Sequence, residues 1–403
     1  MQKESSYITT SGQLRNLSEQ ALTATAVAID TEFIREKTFW PKLCLLQLAF
    51  DQHSVIIDPL RVTDLSPLAA LLTAPGIVKV FHSSEQDLEI IFHKLGLVPN
   101  PLFDTQVAAE LLGMAQQVSL STLVREYCGI RLSKADSFTD WQARPLTNSQ
   151  KQYALDDVRY LPRIYHDMHS QLSALGRLSW LEEDFAALGT ESRYRPNPDM
   201  AWQRVKHAST LTQRQLGILQ ELAKSREEIA MYRDLPRRWV VSDELLVQIA
   251  KTSPQNLQEL HRLRGAQNQL GRRWGNAMLQ AVQRGLSLVP EQLPERKGLQ
   301  IGAVCASAAV DLLRSLLNQR ARQNGITAAM LANKDDLLRL ASGQRANIKV
   351  LEGWRYQIVG RELLELMEGT LSLRIQGEEL EVNRHKATLE AGCQKEMPEA
   401  GCQ

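Results

Sequence analysis

The first hundred residues alternate between short apolar runs and polar breaks instead of keeping a helical period. "AVAIDTEF", "LCLLQLAF" and "SVIID" are rich in Val, Ile and Leu, and each predicts a strand. "GIVKVFH" predicts another, running into "SSEQDLEIIFHKLG", where Ser83 or Ser84 can cap a helix that Gly96 closes. From about residue 104 to 170 the helical period dominates, ending in "TNSQKQYALDDVRYLPRIYHDMHSQLSAL". Strands followed by helices predict an α/β domain over residues 1–195. "TESRYRPNPDM" has turn formers and no period, which suits a linker. Residues 208–290 read as all-helical, with "TQRQLGILQELAKSREEIAMYRD" and "SDELLVQIAKT" amphipathic. Breakers in "VPEQLPERKG" precede a third block, 296–370, containing "KDDLLRLASG" and "EGWRYQIVGRELLELMEG". Residues 371–403 are polar, carry "EAGCQ" twice, and are expected to be poorly ordered.

Composition adds limits. At 403 residues, 43% hydrophobic and 23% charged, the chain has room for two or three ordinary globular domains. No run has transmembrane length, and "MQKESSYITT" lacks a signal-peptide core, so no membrane role is expected. Five cysteines without a C-x-x-C pair argue against a zinc site or disulfide framework and for a reducing cytoplasm. The net charge of +1 hides a division. Residues 1–170 hold 15 Lys and Arg against 19 Asp and Glu, whereas residues 201–300 hold 16 against 9. A basic segment attracts polyanions; an acidic one repels them unless cations intervene.

The candidate chemistry lies in the acidic part. In a strand, Asp30 and Glu32 project to one side while Thr31 faces away. Two convergent carboxylates make a half-site for a hard divalent cation, or else an acidic strand end facing solvent. Asp87 falls in the first turn of a helix, where the dipole favours an anion, as a ligand or as a capping group. Tyr153 and Asp157, four apart on a helix, share a face. Asp156 could also turn that way, and spacing leaves both open. Asp104 has the setting of a helix N-cap, and His82 that of a structural residue. Arg35, Lys37 and Trp40 could contact a phosphate and stack a base, or simply form a surface loop.

Taken in order, D-x-E, H-x(4)-D and Y-x(3)-D resemble the three motifs of the DEDD superfamily of 3′→5′ exonucleases, in the variant with Tyr in the third. "DSFTDWQARPLTNSQKQYALDDV" resembles the ribonuclease D family within it. Residues 208–290 are similar to the helicase-and-RNase-D C-terminal (HRDC) module, and "LANKDDLLRLASG" with "LEGWRYQIVGRELL" to a second, HRDC-like one. The resemblance implies a ribonuclease H-like fold, a mixed sheet flanked by helices, followed by all-α modules. It selects Asp157 over Asp156. It further implies that Asp30, Glu32, Asp87 and Asp157 hold two Mg²⁺ or Mn²⁺ ions, with Tyr153 orienting the attacking water. The activity implied is 3′→5′ trimming of RNA with release of 5′-mononucleotides, precursor tRNA being the substrate class. The alternatives are a DNA exonuclease and a catalytically silent RNA-binding protein. No G-x-x-x-x-G-K-[ST] loop supports a helicase, and no obligatory protein partner is evident. Arg237, Arg238, Arg262, Arg264, Arg272 and Arg273 are the candidate phosphate contacts in the basic segment, unless they only solvate a helical module.

Overall fold

The computed structural model describes residues 4–132, 139–294, 303–377 and 379–385. The chain divides into two compact units, residues 1–299 and 300–403.

In the first unit the predicted strands form β2 (Ala26–Ile34), β3 (Lys42–Phe50), β4 (His53–Ile57) and β5 (Val78–Phe81). Two strands that the apolar pattern does not announce complete the sheet: β1 (Glu4–Ile8) and the three-residue β6 (Leu102–Asp104). The order is β1-β4-β3-β2-β5-β6. β3 runs antiparallel to both neighbours, while β1 with β4, and β2 with β5 and β6, are parallel. This is the mixed sheet flanked by helices that was expected.

Alternation sorts the strand residues onto two faces. Val27, Ile29, Leu46, Leu48 and Ile57 form one apolar layer with α1 (Ser11–Ala21), α2 (Leu68–Thr73) and α3 (Glu85–Leu95). Helices α4 (Thr105–Leu111) and α5 (Leu120–Cys128) follow. The opposite face, with Leu45 and Ile56, is covered by α6 (Asn148–Arg159) through Ala154 and Leu155. Helix α7 (Leu161–Ala174) buries Ile164, Met168 and Leu172, and α8 (Leu178–Leu188) follows.

The expected linker is not a free tether. Tyr194 is buried in the core of the sheet domain, its hydroxyl donating to the Leu188 carbonyl at 2.7 Å. Ala201 and Val205, in and after a 3₁₀ turn, are buried in the helical core beyond. That core is built by α9 (Gln213–Arg233), α10 (Arg237–Val240), α11 (Asp243–Thr252), α12 (Leu257–Arg262) and α13 (Ala266–Ser287). Helices α9 and α13 meet at Gly285, where a Cβ would lie 2.5 Å from the Ile218 Cα, so any side chain would push them apart.

The second unit contains α14 (Ala303–Gln323), α15 (Ala328–Leu331), α16 (Lys334–Ala341), α17 (Gly353–Arg355) and α18 (Arg361–Met367), with a π turn over Tyr356–Gly360. The expectation of a poorly ordered tail over residues 371–403 is corrected for its described part, residues 371–377 and 379–385. β7 (Leu371–Gln376) and β8 (Glu379–Arg384) pair antiparallel, with Gly377 at φ +64 in the turn. Leu371, Leu373 and Ile375 alternate with polar residues, which is strand chemistry. Arg384 fastens the hairpin to α18 through Glu362 (3.1 Å) and Glu365 (3.0 Å). The repeated "EAGCQ" lies outside the described residues.

Candidate active site

β2 is longer than its neighbour. β5 pairs with it only at Ala26, Val27 and Ala28, so beyond Ala28 one edge of β2 is bare of strand partners, while β3 covers the other edge as far as Ile34. After β5 the backbone turns at Ser83, φ +64, and enters α3 with Asp87 in its first turn. Asp104 shapes this turn by accepting the N–H groups of Ser83 (3.1 Å) and Ser84 (2.7 Å). It also caps α4 through the Gln106 N–H at 2.8 Å, as expected. Ser84 occupies the α3 N-cap position without a side-chain capping bond, so that expectation fails; Gly96 ends the helix at φ +71 as anticipated. His82 pairs with the Thr105 hydroxyl at 2.9 Å in a half-buried setting, a structural role.

α6 brings the third motif. Thr147 and Gln150 form a capping box at its start, and Gln150 also donates to the Thr139 hydroxyl at 2.9 Å. Oxygens of Asp30, Glu32 and Asp157 all lie within 4.8 Å of one another, and the Tyr153 phenol, one turn back on α6, stands among these acids. Asp156 points elsewhere, accepting from Gln152 (2.9 Å) and Arg159 (3.4 Å).

Asp87 stands outside this tight group. It is buried, and its carboxylate accepts the Thr31 hydroxyl. Thr31 does face away from its two acidic neighbours, and Asp87 meets the bare edge of β2 from that side. Nothing in the local sequence pattern announced the Thr31–Asp87 contact, which spans 56 positions.

The electrostatics follow from burial and crowding. Burial alone lifts Asp30 to about 7. Burial, then the charges of Asp30, Asp157 and Asp87, lifts Glu32 to about 9. Burial, then Asp30 and Asp156, lifts Asp157 to about 8. Asp87 rises well above the carboxylate range through burial and then Asp30. Burial and the surrounding acids also raise the Tyr153 phenol. Clustered oxygen donors whose repulsion is relieved by no side-chain cation among the described residues suit a hard divalent cation, so the donor set fits the expected metal.

A second buried carboxylate, missed in the sequence, holds α6 in place. Asp58 at the end of β4 has no exposed surface and accepts the Tyr7 hydroxyl and Arg144 Nε (2.7 Å) and Nη2 (2.9 Å). Burial alone would raise its pKa; the bonds from Arg144 and Tyr7 outweigh that and hold it below the ordinary value. Arg144 also donates to the carbonyls of Trp141 (2.8 Å) and Cys44 (2.9 Å), tying the segment before α6 to β3. Buried Trp141 packs 6.0 Å from the Tyr153 ring. The available signal was "SVIID", an apolar strand ending in an acid just as "VAID" does.

The candidate RNA contacts divide. Lys37, Arg238, Arg262, Arg264 and Arg273 are exposed, Arg273 lying 4.5 Å over the Trp274 ring. The Arg272 side chain lies outside the described residues. Arg35 is engaged with Glu89 (2.9 Å) and the Phe39 carbonyl (3.1 Å). Trp40 is half-buried, stacked on His93 at 4.2 Å. Arg237 holds Glu227 through two 2.6 Å bonds. These three are occupied by partners within the protein, although the loop after β2 is exposed at Arg35, Glu36 and Lys37.

Comparison with known proteins agrees with this architecture. Residues 6–173 match a family described as 3′-5′ exonuclease, and residues 215–282 match the HRDC domain. The chain is 40% identical over 374 residues to ribonuclease D of Zymomonas mobilis, covering 92% of this chain and 95% of that one. It is 39% identical over 385 residues to ribonuclease D of Sphingobium indicum, covering 94% and 98%. The crystal structure of Escherichia coli RNase D, "an exoribonuclease involved in structured RNA processing", superposes with a TM-score of 0.81 at 33% identity, covering 90% of this chain and 98% of that one. The exonuclease family and the acidic cluster together point to dependence on a divalent metal. Among the described residues no helix is long and apolar enough to cross a membrane. On likeness along nearly its whole length, the chain belongs to the ribonuclease D family and is a 3′→5′ exoribonuclease.

Proposed function

We propose that Asp30, Glu32, Asp87, Tyr153 and Asp157 are the catalytic set, that the four carboxylates hold two Mg²⁺ or Mn²⁺ ions, and that the enzyme releases 5′-mononucleotides from structured RNAs such as precursor tRNA. The observation that carries this reading is the convergence of Asp30, Glu32 and Asp157 within 4.8 Å, with Tyr153 one turn before Asp157 on the same helix. When bound, the ions supply an activated water and charge neutralisation at the phosphodiester. The residues themselves do the rest. The β2–β3 ladder holds the backbone at Asp30 and Glu32, so both side chains project from one face of the strand. Tyr153 keeps its proton, since burial and nearby acids raise its pKa, and it therefore serves as a donor that orients the nucleophile. Asp87, which accepts the Thr31 hydroxyl beside Asp30, would supply the fourth carboxylate. Lys37, Arg238, Arg262, Arg264 and Arg273 meet the RNA backbone, as does Arg272.

The test is single-turnover trimming of matched RNA and DNA oligonucleotides in Mg²⁺, with the products identified. Asp30→Asn, Glu32→Gln, Asp87→Asn and Asp157→Asn should each lose more than about 100-fold, beyond what supporting residues around a metal contribute. Asp156→Asn should be mild. Tyr153→Phe should slow the rate yet leave calorimetric Mn²⁺ binding intact. Near-wild-type rates in any carboxamide variant remove that residue from the site. Preference for the DNA strand, or release of anything but 5′-mononucleotides, overturns the reading.

A further inference from the structure

The loop after β2 joins three things: the strand carrying Asp30 and Glu32, the helix carrying Asp87, and the helical module. Arg35 reaches Glu89 at 2.9 Å, and Trp40 stacks on His93 at 4.2 Å with the rings 5° from parallel. Glu89 and His93 both lie on α3, two and six residues beyond Asp87. At its tip the loop enters the other core: Phe39 is 2% exposed, buried among residues of α9 to α13.

One side chain of the helical module grips this tip. Asp234 ends α9 in the left-handed conformation, φ +50, and Oδ1 accepts the N–H groups of both Phe39 and Trp40 at 3.0 Å. Arg237, three residues on, lies 4.4 Å over the Phe39 ring while Glu227, itself 1% exposed, holds its guanidinium from below. A carboxylate accepting two amide donors fixes a backbone in both position and direction.

We infer that Asp234 is a positioning residue for the reaction: by clasping the loop at Phe39 and Trp40, the helical module sets the spacing between β2 and α3, and so between Asp30, Glu32 and Asp87. This rests on those carboxylates being the active site. The helical module is then part of the catalytic architecture as well as a surface for RNA.

The full-length chain carrying Asp234→Gly tests it. Glycine keeps the left-handed backbone and removes the acceptor, whereas Asp234→Asn keeps both. The readouts are kcat and KM on a short single-stranded oligoribonucleotide, Mn²⁺ affinity by calorimetry, and thermal unfolding. Asp234→Gly should lower kcat about 10- to 100-fold, the range for residues that orient metal ligands, with KM little changed and Mn²⁺ binding weakened. Asp234→Asn should recover most of the rate. Arg35→Gln, which loosens the same loop from the α3 side, should reproduce the kcat loss and decides the matter if Asp234→Gly unfolds. Wild-type kcat and Mn²⁺ affinity in Asp234→Gly, or in Arg35→Gln where the glycine variant does not fold, would overturn the inference. Asp30→Asn in the same assay separates the two claims, because an active Asp30→Asn refutes the site itself whatever Asp234 does.

Discussion

Asp30, Glu32 and Asp157 act against the fold that carries them. Each has a folded pKa above its value in the unfolded chain, from burial first and, for Glu32 and Asp157, from neighbouring charge next. Such a group is fully compatible with the fold below its unfolded pKa near ~4, and the fold loses stability as pH rises toward the folded value. For these acids the window closes between about 7 and about 9. The melting temperature of metal-free protein should therefore fall between pH 6 and pH 9, and saturating Mn²⁺ should flatten that slope by favouring the charged forms. At pH 8, Asp30→Asn should melt a few degrees higher than wild type without metal, since about 1 kcal/mol moves a domain of this size by ~2–4 °C. A metal-free melting temperature that climbs across the window would mean that the acids are already compensated. The sequence made these residues visible because two acids at the end of a buried strand have few explanations. It did not reveal that Thr31 holds Asp87, because that contact depends on where β5 stops.

At the scale of elements, α6 delivers Tyr153 and Asp157 only while the segment before it stays on the sheet. The Asp58–Arg144 pair is its fastening, with Asp58 inaccessible to water and Arg144 half-buried. Arg144→Met should destabilise the protein by at most about 3–5 kcal/mol, the usual effect of removing one partner of a buried pair, because Asp58 keeps the Tyr7 hydroxyl. Adding Asp58→Asn should restore part of that stability but little of the trimming rate, because the bonds from Arg144 to Trp141 and Cys44 stay lost. Denaturant midpoints and single-turnover rates on the two variants check both halves. Elements with a clear apolar pattern were legible: β2 to β5 and α6. β1 was not, because "ESSYI" takes its strand form from pairing with β4. The β7–β8 hairpin escaped for a related reason: its apolar residues alternate within a polar context, and only the pairing reveals them.

For the whole molecule, the division of charge was legible and the joint was not. Composition separated an acidic part from a basic one, but the packing of Phe39 into the helical core joins residues nearly 200 positions apart. A chain ending near Tyr194 would thus strip the cover from Phe39 as well as remove the basic segment, and would confuse the two effects. Neutralising Arg238, Arg262, Arg264 and Arg273 in the full chain is the cleaner measurement. If all four meet phosphates, the slope of log K against log salt for precursor tRNA should flatten by roughly 3 units, at ~0.7–0.9 per contact. Ca²⁺ in place of Mg²⁺ suppresses cleavage during the titration. An unchanged slope would assign these arginines to solvation alone.

The unequal lengths of β2 and β5 reach beyond catalysis. An unpaired strand edge in the middle of a sheet invites a foreign strand to add to it, the first step of aggregation. Here the opening is occupied by the first turn of α3 and flanked by acids, so a second chain would have to bring its backbone against buried negative charge. The groups that attract a cation also repel a neighbour, and one gap in the hydrogen-bond ladder serves as a cation seat and a guarded border.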